Sequence, residues 1–207
     1  MKKILIASNN KHKIEEFKRI FELNDVQVKL MMPHELYLAG FDVEETGTTF
    51  AENAKIKAIE FHKTAGMPVI SDDSGLEVDC LDCKPGVFSA RYAGTNAKDA
   101  DNRIKLLEDI KATGSEQLDA RFRCVVCYHD GEETVFGEGT VEGRIIMEER
   151  GENGFGYDPI FIPDSYDKTF AELPAAIKDS ISHRNRALNN LISKLFRKEY
   201  NGKIREN

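Results

Sequence analysis

Residues 49–68 constrain the fold more than any other part of this sequence, because they carry a helix start, a helix face and a helix stop in order. Thr49 and Glu52 make a capping box, in which hydroxyl and carboxylate each satisfy an amide that the first helical turn leaves orphaned. Phe50, Ala54, Ala58 and Phe61 then share one face, and Gly66 before Pro68 ends the helix. Residues 68–71 follow at once as a brief buried strand that runs into Asp72 and Asp73, with Ser74 and Gly75 expected to complete a turn. A helix handing over directly to a buried strand is the repeating joint of an α/β fold.

The same alternation extends along the chain. Residues 3–7 read as an apolar strand, and Ile14, Phe17, Ile20 and Phe21 recur at helical spacing after it. A second strand is expected at 26–31, and a helix at 98–111 with Ile104, Leu107 and Ile110 facing inward. Strands at 120–128 and 133–141 flank Asp130-Gly131, a hairpin signal. A glycine-rich loop at 151–158 leads to a strand at 159–162. Ala187, Leu188, Leu191, Ile192, Leu195 and Phe196 make the stripe of a last helix. Hairpins and strand–helix units together predict a mixed sheet flanked by helices. One catalytic domain is expected over 1–196, with 197–207 a tail that frays.

At 207 residues the chain is long enough for folding to remove roughly 70% of its accessible surface. Its 29 basic and 36 acidic side chains give a net charge of −7, which argues against polymeric nucleic acid as a partner. A local basic pocket for a small anion remains compatible with that balance. No apolar run reaches the ~20 residues needed to span a bilayer, so no membrane partner is expected. The opening MKKILIASNN turns polar too early for a signal peptide, and a cytoplasmic location is expected. Cys80/Cys83 and Cys124/Cys127 stand at the spacing of zinc knuckles. The second pair lies in a strand, where residues three apart point to opposite faces. Both pairs are therefore read as reduced core or loop thiols, with zinc and a redox or disulfide role as the alternatives.

Four segments carry possible chemistry. In the run from Ser8 to Lys13 (Ser8, Asn9, Asn10, Lys11, His12, Lys13), three cationic or titratable side chains crowd a helix start. Cations there oppose the helix dipole, so their presence points to an anion, although a solvated basic turn is the plainer alternative. Asp72 and Asp73 are a usual seat for Mg²⁺, which takes one or two protein carboxylates and keeps waters for substrate phosphates, and Glu44 or Glu45 can share the ion. The plainer alternative is an Asx turn. The loop Gly154 to Asp158 offers Phe155 or Tyr157 for stacking a planar base, with Gly156 allowing close approach, or else it is an aromatic turn before a core strand. Lys178, His183 and Arg184 place further donors beside a helix start. Together these make the inventory for a nucleoside triphosphate with Mg²⁺.

At these residues the chain resembles the Ham1-like inosine/xanthosine triphosphate pyrophosphatases. The resemblance runs from Ile4 to about Phe196, through SNNKHK, EETGTTFAENAKIKA, DDSGLEVD, PGVFSARYAG, GFGYDPIF, KTFAEL and KDSISHR. It implies an elongated mixed sheet with two lobes around a central cleft, a homodimer, and Mg²⁺-dependent hydrolysis of dITP, ITP and XTP to monophosphate and pyrophosphate. It further implies phosphate binding by Ser8, Asn10, Lys13 and Lys57, and Asp73 as general base and metal ligand. Ser74 would contact substrate, and Phe155 to Asp158, Lys178, His183 and Arg184 would bind the base. Between Glu44 and Glu45 the resemblance does not choose. Asn153 stands where a glycine is common in that family, and it is expected to keep a left-handed turn. A Maf-like pyrophosphatase of modified pyrimidine nucleotides and a non-catalytic nucleotide- or zinc-binding regulator are the alternative readings.

Overall fold

The structure, a computed structural model, describes residues 1–24 and 26–203, with side chains of the last helix described as far as Leu195. Among the described residues seven strands and five α-helices follow one another as β1 (Lys2–Ile6), α1 (Lys11–Leu23), β2 (Val28–Met31), α2 (Phe50–Ala65), β3 (Val69–Val78), β4 (Lys84–Pro85), α3 (Asp99–Thr113), β5 (Asp119–His129), β6 (Thr134–Ile145), β7 (Phe161–Pro163), α4 (Ala175–Ile181) and α5 (His183–Lys203). The strands form one mixed sheet in the order β2-β1-β3-β5-β6-β7, with β4 also paired to β3. β1 runs parallel to β2 and β3, pairing Leu5 with Val69 and Ile6 with Ile70. β3–β4 and β6–β7 are antiparallel. Helices flank the sheet, and among the described residues none is long and apolar enough to cross a membrane.

The chain divides into two compact units. The first comprises Met1–Asp73, Cys124–Gly139 and Arg184–Asn207, and the second Ser74–Arg123 and Thr140–His183. In the first, Ile4, Ile6 and Ile70 of the parallel strands pack with Phe17 and Ile20 of α1 and with Leu188 and Leu191 of α5. In the second, Leu76, Phe122, Phe161 and Phe170 form the centre together with Leu106 and Ile110 of α3. Each fully buried Leu, Ile or Phe is worth about 1.5–3 kcal/mol, so these faces dominate the stability of each unit.

α2 follows its sequence signals closely. Thr49 and Glu52 form the reciprocal capping box, Phe50, Ala54, Ala58 and Phe61 are buried, and Gly66 ends the helix in the left-handed conformation. The hairpin at Asp130 is also as expected: Asp130 Oδ1 accepts from the amides of Glu132 and Glu133, and Gly131 takes φ +98°.

Three expectations are corrected. β3 does not stop at residue 71 but continues through Asp72, Asp73, Ser74 and Gly75 to Val78. The SDDSG segment resembles a turn in isolation, yet side chains from distant segments satisfy its carboxylates and let the strand continue. In α3 the buried residues are Asn102, Leu106 and Ile110, while Ile104 is 54% exposed. The inner face follows the i, i+4 series Asn102, Leu106 and Ile110, so Ile104, two residues from both Asn102 and Leu106, lies about half a turn away, and Leu107 packs only at the margin. The strand expected at 159–162 begins instead with a short 3-10 turn, Asp158–Ile160, and only Phe161–Pro163 is extended. α5 keeps its backbone helical to Lys203, and residues 204–207 of the expected tail lie outside the described residues.

Candidate active site

The first unit gathers cations and carboxylates around the middle of β3. Asp72 and Asp73 point to different neighbours, as alternation along a strand requires. Asp72, 1% exposed, receives Lys13 Nζ at 2.9 Å and Arg184 Nη2 at 3.1 Å on the same oxygen. Burial alone would push its carboxyl up, but Lys13, Arg184 and Lys57 outweigh that and hold it well below the usual carboxylate range. Asp73, 5% exposed, accepts from Asn53 Nδ2 at 3.0 Å. Burial pushes Asp73 up and Glu45 adds to the rise, while Lys57, Lys13 and the Asn53 bond pull the other way, leaving it above its ordinary value. A buried carboxylate with a raised pKa is suited to taking a proton.

Lys57 lies two turns into α2, and its Nζ meets Glu45 Oε1 at 2.6 Å. Burial disfavours its charge, but Asp72, Glu45 and Asp73 more than restore it, so Lys57 stays protonated. Glu45 is therefore the acid of the Glu44–Glu45 pair that faces Lys57 and acts electrostatically on Asp73, whereas Glu44 is exposed. The oxygen-only pair of Asp73 and Glu45 matches the sparse protein ligation of Mg²⁺. Among the described residues no group of three or more His, Cys, Asp or Glu gathers into a cage.

The turn before α1 is more internally satisfied than its sequence indicates. Asn10 is the N-cap, and its Oδ1 accepts from the amides of His12 and Lys13 at 3.0 and 3.2 Å. Ser8 Oγ accepts from Asn10 N, and Asn9 Nδ2 donates to Phe41 O at 2.8 Å. The amides of His12 and Lys13 are thus already occupied. The charge that this turn offers comes from side chains: Lys11 and His12 are exposed, and Lys13 reaches inward to Asp72.

The second unit carries the aromatic loop. Asp158 organises it, its Oδ2 accepting from Phe155 N at 2.8 Å and from Lys178 Nζ at 2.6 Å. Lys178 Nζ also lies 4.8 Å from the centre of the Phe155 ring. Gly156 donates its N–H to Asp99 and its carbonyl accepts from Arg103, two residues that sequence reasoning did not single out. Tyr157 is buried in the core and its hydroxyl donates to Ser89 O, whereas Phe155 is only half-buried. The left-handed turn expected at Asn153 falls on Gly154, where φ is +77° and a Cβ would lie 2.1 Å from Asp158 Oδ2. His183 stacks on Phe122 with ring centres 4.8 Å apart and planes 10° from parallel. Ser74, half-buried, opens this unit's share of β3.

Around Arg184, expected to bind the base, the structure places two carboxylates. Arg184 belongs to the first unit, is 1% exposed, and its guanidinium is ion-paired with Glu16 and Asp72. Sequence reasoning passed over Glu16 and Asn53. Their signal was a polar side chain at a position where the helical period requires an apolar one: Glu16 beside Phe17 and Ile20, and Asn53 beside Phe50 and Ala54. The cysteines of the Cys124–Cys127 pair are both buried but have different surroundings, Cys124 near Asp72 and Arg184, Cys127 near Lys55.

The profile of the Ham1 family matches residues 4–194. The chain belongs to the Ham1 family. It is 50% identical over 199 residues to the dITP/XTP pyrophosphatase of Bacillus subtilis (strain 168), covering 95% of this chain and 98% of that one. A solved HAM1 protein from Coxiella burnetii is similar with a TM-score of 0.86 and 42% identity, covering 95% of this chain and all of that one. The Ham1 protein of Staphylococcus aureus is similar with a TM-score of 0.82 and 46% identity, covering 94% and 98%.

Proposed function

We propose that this Ham1-family chain is a nucleoside triphosphate pyrophosphatase that hydrolyses non-canonical purine nucleotides, dITP, ITP and XTP, to the monophosphate and pyrophosphate. The observation that carries the reading is the gathering of two cations and three carboxylates in one unit, with Lys13 on the buried Asp72 at 2.9 Å, Lys57 on Glu45 at 2.6 Å, and the buried Asp73 next to Asp72. The name borne by the Bacillus subtilis relative supports the substrate class.

Asp73 orients a water and takes its proton as the water oxygen bonds to the α-phosphorus and the α–β bridging bond breaks. Lys13 and Lys57 offset the negative charge that builds on the departing pyrophosphate. Asp73 and Glu45 are the residues that would hold Mg²⁺, which supplies charge neutralisation at the phosphates when bound. The base is read by Phe155 stacking, by Lys178 and His183, and by backbone donors of the Gly154–Asp158 loop. A 6-oxo purine presents an acceptor to such donors, whereas adenine presents an amine that leaves them unpaired, a mismatch able to discriminate by orders of magnitude. The homodimer implied by the resemblance belongs to the same reading, as does the cytoplasm, where nucleotide precursors are used and where four free cysteines are stable.

Hydrolysis of dITP in ¹⁸O-labelled water tests the reaction. The label is expected in the nucleoside monophosphate. Label in pyrophosphate, or release of orthophosphate, sinks the proposal.

A further inference from the structure

Asn53 is the fourth residue of α2 and is fully buried, on the helical face that also carries Phe50 and Ala54. A buried amide is tolerated only when it is hydrogen-bonded, so its partners define its purpose. Its Nδ2 donates to Asp73 Oδ2 at 3.0 Å, and its Oδ1 accepts the Gly47 N–H at 2.8 Å. The two partners fix the orientation of the amide, because an ionised carboxylate only accepts and a backbone N–H only donates. The close approach requires glycine at residue 47, where a Cβ would lie 2.7 Å from Asn53 Oδ1 and 2.6 Å from Glu52 Cβ. Gly47 follows Glu45 by two residues, and Glu45 is itself held by Lys57, one turn beyond Asn53 on α2. One buried amide thus ties together two segments that are 26 residues apart in sequence, the Glu45–Gly47 loop and the Asp73 carboxylate.

We propose that Asn53 is a positioning residue that sets Asp73 for water activation and fixes the loop bearing Glu45, so that the two carboxylates present themselves jointly to a divalent ion. The inference rests on the roles given above to Asp73 and Glu45. It gives α2 a task beyond core packing: its polar residues Asn53 and Lys57 together register the two acids.

The test uses the full chain with Asn53→Ala, which removes both bonds, and Asn53→Asp, which keeps an acceptor for Gly47 N–H but turns a carboxylate toward Asp73. For each variant, kcat and KM for dITP are measured together with the thermal melting transition. For Asn53→Ala, Mn²⁺ affinity of the nucleotide-free protein is also measured by electron paramagnetic resonance. Partners of metal ligands typically contribute ~10–100-fold to affinity or activity. The expected result is a cooperative melt in both variants, kcat lowered at least ~10-fold in both with KM within about threefold, and Mn²⁺ affinity lowered at least ~10-fold in Asn53→Ala. A smaller change in kcat or in Mn²⁺ affinity overturns the proposal, as does a loss confined to KM. Failure of both variants to fold also overturns it, since Asn53 would then be a determinant of the fold. Asp73→Asn serves as control. Near-wild-type turnover in Asp73→Asn defeats the reading of Asp73 itself, whereas a crippled control beside an unaffected Asn53→Ala defeats only the role of Asn53.

Discussion

Arg184 Nη2 lies 3.1 Å from Asp72 Oδ2, and both side chains are almost wholly buried. Arg184 also pairs with Glu16 of α1, and Asp72 with Lys13 of the same helix, so two cations and two carboxylates close one internal network. Such a network is costly to desolvate but far costlier to leave half made. It pins α1, β3 and α5 together and fixes the direction from which Lys13 approaches β3.

Removing Arg184 is expected to take from the buried Glu16 its guanidinium partner and to leave Asp72 with Lys13. Arg184→Met should lower the unfolding free energy by about 3–5 kcal/mol in urea titration. Arg184→Lys should recover only part of the loss, because an ammonium lacks the planar fork that serves two acids at once. A loss below about 1 kcal/mol for Arg184→Met would show that the pair is not a structural anchor.

Acid sensitivity should follow Asp72. Its carboxyl is held well below the ordinary range in the folded protein and has a pKa of about 3.9 when unfolded. The ionised form therefore favours folding, fully so above the unfolded value, and this contribution is lost as pH falls below about 4 because the unfolded chain then binds the extra proton. Urea titrations at pH 7 and pH 3 should show a larger drop for wild type than for Asp72→Asn. Equal drops would mean that Asp72 carries no such linkage.

Sequence and structure agree where a signal is local, and part company where partners come from afar. α2 was legible from its box, face and stop, because capping and helical periodicity operate within a few residues. The extension of β3 through Asp72 and Asp73 was not, since Lys13, Asn53 and Arg184 come from three other elements. Asn10 and Lys13 stood out as a basic turn, but the occupation of the turn's amides by Asn10 itself needed the backbone geometry. Ile104 reads as inward because Ile104, Leu107 and Ile110 are apolar and three apart, whereas the buried face follows the i, i+4 series begun by the polar Asn102, which apolar periodicity does not reveal.

Thiol reactivity should separate the two Cys-x-x-Cys pairs. Burial pushes the thiols of Cys124 and Cys127 up to about 12, so at pH 8 only ~10⁻⁴ of each is thiolate. Cys83 is exposed and Cys80 half-buried. Alkylation of the native protein followed by mass spectrometry should mark Cys83 and Cys80 while sparing Cys124 and Cys127 until denaturant is added. Equal labelling of all four in the native state contradicts the burial.

Asp158→Asn should act on substrate binding more than on turnover. The carboxylate holds Phe155 N and the buried Lys178 together, and hydrogen bonds to charged groups contribute about 1.5–3 kcal/mol. KM for dITP is expected to rise roughly 10–100-fold, with kcat lowered less, in steady-state assays. An unchanged KM would separate this loop from base recognition.

The most direct measurement of the central claim is a panel of nucleoside triphosphates assayed with Mg²⁺ for pyrophosphate and orthophosphate in parallel. The account predicts that dITP and XTP release pyrophosphate at kcat/KM values at least ~10²-fold above that of dATP. Equal turnover of dITP, dATP and dGTP, or a preference for dUTP and methylated pyrimidine nucleotides, would contradict it.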